Sequence, residues 1–200
     1  LQFIRDKRDL PFISLCLQIA LTVLPVSVAL FFAEGTSWWV LVAVFYVLEF
    51  YFMGPFILML HNTSHNPFFK REYKLGNRLI PWGLCPFMGQ SPDTYFSHHI
   101  GMHHAENNLE LDTSSTMPYQ RDRFIDFLKY FFRFLFVGVL ELARYHRIKN
   151  KRQFLRKALI GEAVFFAVAL FLLWLNWQAT LVVFIIPIVI VRFLMMSGNW

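Results

Sequence analysis

Two histidine clusters are the part of this sequence that is best suited to chemistry. One cluster contains His61 and His65, and the other contains His98, His99, His103 and His104. Six of the seven histidines in the chain lie in these two short stretches. Neutral imidazole is the commonest side-chain ligand for metal ions, and all-imidazole ligation suits iron, copper or zinc. The two clusters therefore predict a metal site.

The spacing within each cluster favours convergence on metal ions. His61 and His65 are four residues apart, so they share one helix face if the second span continues a turn or two past the membrane. His99 and His103 also share a face of an α-helix, whereas His104 is turned by about 100° from His103 and could reach a second ion. Five or six nitrogen donors without cysteine argue against structural zinc, which closes with four ligands. A site with two metal ions is therefore feasible.

Other polar residues near the clusters have more than one interpretation. His98 either replaces His99 as a ligand or supports a neighbouring ligand. Residues 106–108, which read Glu-Asn-Asn, either orient the rings of His103 and His104 through their second ring nitrogens or simply end a helix. His146 lies among basic residues, and we expect a structural role for it. No catalytic residue is assigned beyond the metal ligands.

The elements that carry the clusters follow from hydropathy. The chain is 56% hydrophobic, with 24 phenylalanines and a mean hydropathy of +0.45, which is typical of a membrane protein. Crossing a bilayer takes roughly 20 apolar residues. Four runs approach or exceed this length, over 11–33, 38–60, 158–175 and 179–196. We predict a single all-α integral membrane domain over residues 1–200, with two transmembrane helical hairpins.

The distribution of basic residues orients the hairpins. The two short connectors, 34–37 and 176–178, contain no lysine or arginine, whereas the segment from Lys70 to Lys157 contains fifteen. Because basic loops stay on the cytosolic side, the histidine clusters and both termini are expected on the cytosolic or stromal side. The clusters would then form a helical cap there. The basic residues flank membrane spans, so nucleic acid is not expected as a partner.

Three features in or between the spans need separate interpretation. Residues 79–88 are too few to cross a bilayer and contain Pro81 and Pro86, which predicts a loop or an interfacial segment. Residues 124–140 combine a charged face with a phenylalanine-rich face, which predicts a helix lying in the membrane interface. Glu49 lies inside the second span, where a carboxylate is costly. It is either hydrogen-bonded to a neighbouring helix or part of a substrate channel.

The position of the predicted metal site indicates its task. A site at the membrane surface can meet the middle of a lipid chain that enters between the helices. Oxidising an unactivated C–H bond requires O₂ and a redox metal, and iron is the usual choice. The residues therefore favour iron-dependent oxidation of a lipid or acyl chain.

The motifs resemble the first two histidine boxes of the membrane fatty acid desaturase family. The resemblance rests on the HxxxH spacing from His61 to His65 and on the HxxxHH spacing from His99 to His104, set between two transmembrane hairpins. It implies four membrane helices capped by a cytosolic domain that holds two iron ions. It also implies O₂ as co-substrate and electrons from cytochrome b5 or ferredoxin, in the endoplasmic reticulum or a plastid.

The family resemblance also implies ligands that this sequence does not contain. The family has a third box, of the form HxxHH, after the fourth span, whereas the sequence stops at Trp200. We therefore expect a C-terminally incomplete domain that lacks several ligands of the diiron centre. Some desaturases hold a metal-bound water with an asparagine near the end of the fourth span. Asn199 is a candidate for that role, and the alternative is an ordinary helix C-cap.

Other functions remain as alternatives. A lipid hydroxylase with the same metal architecture differs by a single oxygen-transfer step, and the sequence does not separate it from a desaturase. An inactive or truncated membrane protein is a second alternative. A metal transporter would need polar ligands along the spans, and a bis-histidine haem protein would need histidines that face each other inside the membrane. The acyl carrier, the position of the double bond and the oligomeric state are not predicted.

Overall fold

The computed structural model describes residues 2–200, and this part of the chain is almost entirely helical. Its extended backbone amounts to an isolated bridge between Ile4 and Phe69. The α-helices are α1 (Leu10–Leu30), α2 (Gly35–His65), α3 (Thr94–His98), α4 (His104–Glu106), α5 (Phe124–Ile148), α6 (Arg152–Leu175), α7 (Trp177–Thr180) and α8 (Ile186–Asn199). Three π-helical turns interrupt or join them, at Ile80–Leu84, His99–His103 and Leu181–Ile185.

Within residues 2–200, four helical segments are long and apolar enough to cross a membrane. They span Lys7–Leu30, Gly35–His65, Arg152–Leu175 and Trp177–Asn199. The predicted all-α membrane fold with four spans is therefore confirmed. The second span is longer at its C-terminal end than the predicted 38–60, because α2 continues without a break to His65. Many large apolar side chains on the spans face outward, as expected for surfaces covered by lipid.

The two hairpin turns lie side by side at one end of the molecule. The side chain of Asn176 accepts a hydrogen bond from the backbone N–H of Ala179 and so caps the start of α7. Its amide nitrogen also donates to the carbonyl of Phe31, at 3.2 Å, in the turn of the first hairpin. In that turn Gly35 takes the left-handed conformation, with φ +59°. One side chain thus ties both connectors together, and the long middle segment lies at the other end of the spans.

The middle segment contains α5 and forms the cap over the hairpins. The buried face of α5 presents Phe127, Tyr130 and Phe131 to α8 and its C-terminal residues. Its charged side chains form local ion pairs, Lys129 with Asp126 and Arg133 with Glu141. This amphipathic helix is not among the segments apolar enough to span a membrane. Its placement in the membrane interface stays a prediction.

The short apolar segment 79–88 packs into the helical core. It forms the π turn Ile80–Leu84 and a 3₁₀ turn over Cys85–Met88, and the side chains of Cys85 and Met88 are buried against the hairpins. Gly89 follows with φ +65°, and a Cβ there would lie 2.5 Å from the carbonyl oxygen of Pro187. The chain can therefore pass closely under α8 only with glycine at this position. The segment 79–88 is followed in the chain by α3 and the second histidine cluster.

Candidate metal centre

The first two histidines are presented by the last turns of α2. His61 and His65 lie one turn apart on the same face, with ring centroids separated by 5.1 Å. The helix ends at His65, and Asn66 is extended because Pro67 follows it and disfavours helical backbone at the preceding residue. Both imidazoles are exposed to the space above the spans. The expected continuation of the second span through the first cluster is therefore present.

The second cluster lies on a π turn, which changes the expected pairing of its rings. His99–His103 is π-helical, and the N–H of His104 bonds to the carbonyl of His99, five residues back. Rings five residues apart therefore align: the Nε2 atoms of His99 and His104 are 3.0 Å apart. His98 and His103 stack in parallel, with centroids 6.0 Å apart. The α-helical expectation that His99 pairs with His103 and that His104 turns away is replaced by this arrangement.

Histidines from the two clusters meet above the end of α2. One ligand nitrogen from each of His61, His65 and His99 lies within 4.8 Å of the other two. The ring of His104 is 4.4 Å from that of His99 and 4.7 Å from that of His65, measured between centroids. Segments more than thirty positions apart in sequence thus contribute four neighbouring imidazoles. We refer to His61, His65, His99 and His104 as the imidazole cluster.

Protonation of His99 and His104 is suppressed by their surroundings. Burial, followed by the neighbouring His104 and His61, lowers the pKa of His99 to about 3. Burial and the adjacent imidazoles also lower the pKa of His104. Because a metal ion binds neutral imidazole, these two rings are in the ligating form at neutral pH without a competing proton.

His103 lies beside the imidazole cluster and is oriented by Asp112. Its Nδ1 is 2.7 Å from Oδ2 of Asp112, and its ring centroid is 6.0 Å from that of His99. Burial opposes ionisation of Asp112, but hydrogen bonds from His103 and Ser114 outweigh it and lower the pKa of Asp112 to about 2. In the neutral imidazole, a carboxylate at this distance favours the tautomer with the proton on Nδ1, in which Nε2 has a free lone pair. His103 is therefore prepared to act as a further ligand.

Asp112 is a candidate site residue that the sequence reasoning missed. It is 3% exposed, and its carboxylate also accepts hydrogen bonds from the backbone of Asn108 and from the backbone and hydroxyl of Ser114. The sequence signal was an aspartate followed by Thr-Ser-Ser-Thr, a pattern typical of side-chain-capped turns. Of the expected orienting residues, Glu106 bonds instead to Tyr145 and Lys149.

His98 faces away from the imidazole cluster. Its Nε2 is buried without a hydrogen-bond partner in residues 2–200, and its ring packs against Phe134 with centroids 5.5 Å apart. Burial lowers the pKa of His98 to about 4. It lines a narrow cavity of about 40 Å³ together with Tyr95 and Arg192. The structure thus separates His98 from His61, His65 and His104.

Asn199 contacts the loop that contains Asp112. Its amide nitrogen donates to the carbonyl of Ser114 at 2.9 Å and contacts the hydroxyl of Tyr130 at 2.7 Å. The hydroxyl of Ser114 in turn lies 3.4 Å from Nδ1 of His103. Asn199 is therefore linked to the second cluster through Ser114, and its role near a metal-bound water stays a prediction.

The corner between α5 and α6 supports the π turn through contacts with its backbone carbonyls. Lys151 donates from Nζ to the carbonyl of Gly101 at 2.7 Å and lies 3.2 Å from the hydroxyl of Tyr145. Nε2 of His146 is 3.1 Å from the carbonyl of Ser97. A Cβ at residue 101 would lie 2.8 Å from His146, so the glycine permits this close packing. This geometry supports the structural role expected for His146.

Glu49 remains without a hydrogen-bond partner. Glu49 lies in α2 and its side chain is fully buried. Neither of its carboxylate oxygens is hydrogen-bonded within residues 2–200. The alternative in which Glu49 bonds to a neighbouring helix is therefore not seen.

The donor set fits a transition metal. Three nitrogens within 4.8 Å of one another can surround one ion, with His104 and His103 as neighbouring donors. Uncharged nitrogen donors suit iron, copper or zinc better than magnesium or calcium, which prefer oxygen.

Comparisons with known proteins agree with this architecture. Residues 4–200 match the family described as "Fatty acid desaturase". No curated protein and no solved structure matches the chain. The family match covers nearly the whole chain, including both histidine clusters and all four spans.

Proposed function

Because this chain belongs to the fatty acid desaturase family, we propose that it catalyses O₂-dependent desaturation of a fatty acyl chain at a histidine-ligated diiron centre. The observation that supports this proposal best is the convergence of His61, His65 and His99 within 4.8 Å at the end of a membrane hairpin. An apolar chain in the bilayer could approach such a site along the helices. The substrate is therefore proposed to be a membrane lipid or an acyl thioester.

We propose the ligands on the basis of the geometry of the two clusters. The imidazole cluster would provide one group of donors, and His103 would present Nε2 toward a second ion. His98 and Asn199 are retained as lesser candidates, because the first faces a separate cavity and the second bonds to Ser114. When bound, iron would supply the O₂ activation that cleavage of an unactivated C–H bond requires.

The residues of the chain would hold and orient the reacting groups. The carboxylate of Asp112 keeps the proton of His103 on Nδ1, and Lys151 fixes the carbonyl of the π turn. In the overall reaction, two adjacent methylenes each lose one hydrogen and form a double bond. O₂ is reduced to two water molecules, with two electrons and two protons supplied from outside the substrate.

The electron donor and the location are also proposals. Cytochrome b5 or ferredoxin would deliver the electrons to the capped end of the molecule. The excess of basic residues in the middle segment supports a cytosolic or stromal position for that end. The membrane would be that of the endoplasmic reticulum or a plastid.

Heterologous expression tests the proposed reaction. The complete gene is expressed in a host with simple lipids, and the fatty acids are profiled by gas chromatography and mass spectrometry. We expect a new unsaturated fatty acid that is absent with the His99→Ala variant. A hydroxylated fatty acid with no new double bond would assign the chain to lipid hydroxylation. An unchanged lipid profile with normally expressed, iron-loaded protein would contradict both reactions.

A further inference from the structure

A basic groove lies on the outer side of the corner between α5 and α6. It has a volume of about 740 Å³ and is lined by Ala143, Arg144, Arg147, Asn150, Arg152, Leu155 and Leu159. No histidine lines it, so within residues 2–200 it is separate from the imidazole cluster. The groove is large enough for a polar headgroup, and its lining combines three guanidinium groups with apolar side chains.

The three arginines in the groove have no acidic partner among residues 2–200. Arg144 and Arg147 lie three residues apart on α5, and Arg152 begins α6 across the turn. All three are exposed, and in the part of the chain that the structure describes none has a carboxylate within salt-bridge distance. Like charges placed together without a counter-charge repel one another. A bound anion would relieve this repulsion.

The backbone at the corner adds to the positive potential. Asn150 takes the left-handed conformation, with φ +55°, and its side chain accepts a hydrogen bond from Arg152. The N-terminus of the 24-residue α6 has no side-chain cap. Its free N–H groups carry the positive end of the helix dipole. The positive end of the α6 dipole therefore lies at the corner beside the groove.

The apolar part of the groove continues down a membrane span. Leu155 and Leu159 lie one turn apart on α6, which is one of the four segments able to cross a membrane. Leu159 and the adjacent Ile160 are more than 40% exposed. A ligand with a phosphate at the arginines could therefore lay hydrocarbon chains along the first turns of this helix. A free anion would leave these apolar side chains uncovered.

We propose that this groove binds the phosphate headgroup of an anionic membrane phospholipid, with its acyl chains along α6. Arginine suits this ligand because its planar guanidinium forms paired hydrogen bonds to phosphate oxygens. The lipid is not a substrate, because none of the histidines lines the groove. It would anchor the α5–α6 corner, whose inner side holds the π turn through Lys151 and His146.

Native mass spectrometry of the full-length protein in detergent tests this proposal. The probes are dioleoylphosphatidylglycerol, dioleoylphosphatidylcholine and inorganic phosphate. The groove variant is Arg144→Gln, Arg147→Gln and Arg152→Gln combined. The matched control combines Arg71→Gln, Lys74→Gln and Arg78→Gln. It removes the same charge from exposed residues that do not line the groove.

We expect the groove variant to bind phosphatidylglycerol roughly 100-fold more weakly, since each basic residue near an anionic headgroup contributes roughly fivefold. The control should change this affinity by less than about twofold, and phosphatidylcholine should bind weakly to all three proteins. Equal binding of phosphatidylglycerol to wild type and groove variant would overturn the proposal. Equal losses in the control, or displacement of the lipid by millimolar phosphate, would overturn it as well.

A single substitution keeps the test decisive if the triple variant does not fold. Arg147→Gln should weaken phosphatidylglycerol binding by roughly fivefold. Arg147→Lys should retain part of that affinity, because it keeps the charge but loses the paired hydrogen bonds. Unchanged affinity in Arg147→Gln would contradict the proposal. The measurement does not use fatty acid products, so its outcome is independent of the proposed desaturase activity.

Discussion

Replacing Asp112 with asparagine tests whether the Asp112 carboxylate orients His103 for metal binding. The carboxylate accepts four hydrogen bonds: Oδ2 from His103 and the backbone of Asn108, and Oδ1 from the backbone and hydroxyl of Ser114. Asparagine is nearly isosteric but has one oxygen and one NH₂ group. In either orientation it loses two of these four bonds and directs donor hydrogens toward other donors.

The expected magnitude follows from the lost bonds. A hydrogen bond to a charged group contributes about 1.5–3 kcal/mol, and Asp112 is buried, so the loss of two such bonds in Asp112→Asn should lower the free energy of unfolding by about 3–6 kcal/mol. If the amide NH₂ faces His103, the imidazole must move its proton to Nε2 and can no longer ligate through that atom. Loss of such a supporting partner typically reduces metal affinity by about 10–100-fold.

The assay measures iron binding and stability separately. Purified full-length protein is titrated with Fe(II) under anaerobic conditions, bound iron is quantified by mass spectrometry, and thermal unfolding is followed in the same buffer. The control is Glu110→Gln, which makes the same charge change at an exposed residue two positions away. Asp112→Asn with wild-type iron affinity would refute the reasoning. An equal loss in Glu110→Gln would show that local charge, rather than the bond to His103, controls binding.

Three further predictions concern support of the site, the membrane interior and the metal. Lys151→Met should lower iron affinity and reduce the unfolding free energy by about 1–3 kcal/mol, because the carbonyl of Gly101 loses a charged donor; iron titration and thermal unfolding measure both. Glu49→Met should raise the unfolding free energy by about 1–3 kcal/mol, because a buried polar group without a partner is removed; thermal unfolding in detergent measures it. Removing iron with a chelator should lower the unfolding temperature of wild type by several degrees, because ligand binding stabilises only the folded state.

Matched variants separate these effects from general perturbation. Lys157→Met removes an exposed lysine near the same corner, and equal iron loss in this variant would contradict the proposed contact of Lys151. Glu34→Gln changes an exposed carboxylate in a hairpin turn, and it should leave stability unchanged. If Glu49→Met raises stability but abolishes a desaturated product, Glu49 belongs to the substrate channel. A chelator effect of equal size in a His61→Ala, His99→Ala double variant would exclude the imidazole cluster as its origin.

The membrane fold could be predicted because its determinants are local in sequence. Four long apolar runs and two short uncharged connectors leave few alternatives for a chain in a bilayer. The end of α2 was also predictable, because the HxxxH spacing follows a continuous helix that carries His61 and His65 to one face. Hydropathy predicted the ends of the spans only to within a few residues, because polar residues such as Arg152 extend a helix beyond its apolar run.

The geometry of the second cluster could not be predicted from spacing. An α-helix would pair His99 with His103, whereas the π turn pairs His99 with His104. A π turn is rare and weaker than α-helix, so it persists where tertiary contacts favour it, often at functional sites. The partner of His103 was missed for a similar reason, because Asp112 reaches it through a folded loop rather than along a helix.

The contacts that favour the π turn come from the corner between α5 and α6, roughly fifty positions later in the chain. Lys151 bonds to the carbonyl of Gly101. His146 packs against Gly101, and any larger residue at position 101 would collide with its ring. These contacts act on the backbone that links His99 to His104, so they influence the positions of the rings without contacting the imidazole cluster. The geometry of the imidazole cluster therefore depends on how firmly this corner is held. The basic groove on its outer side is where a membrane lipid could supply that support.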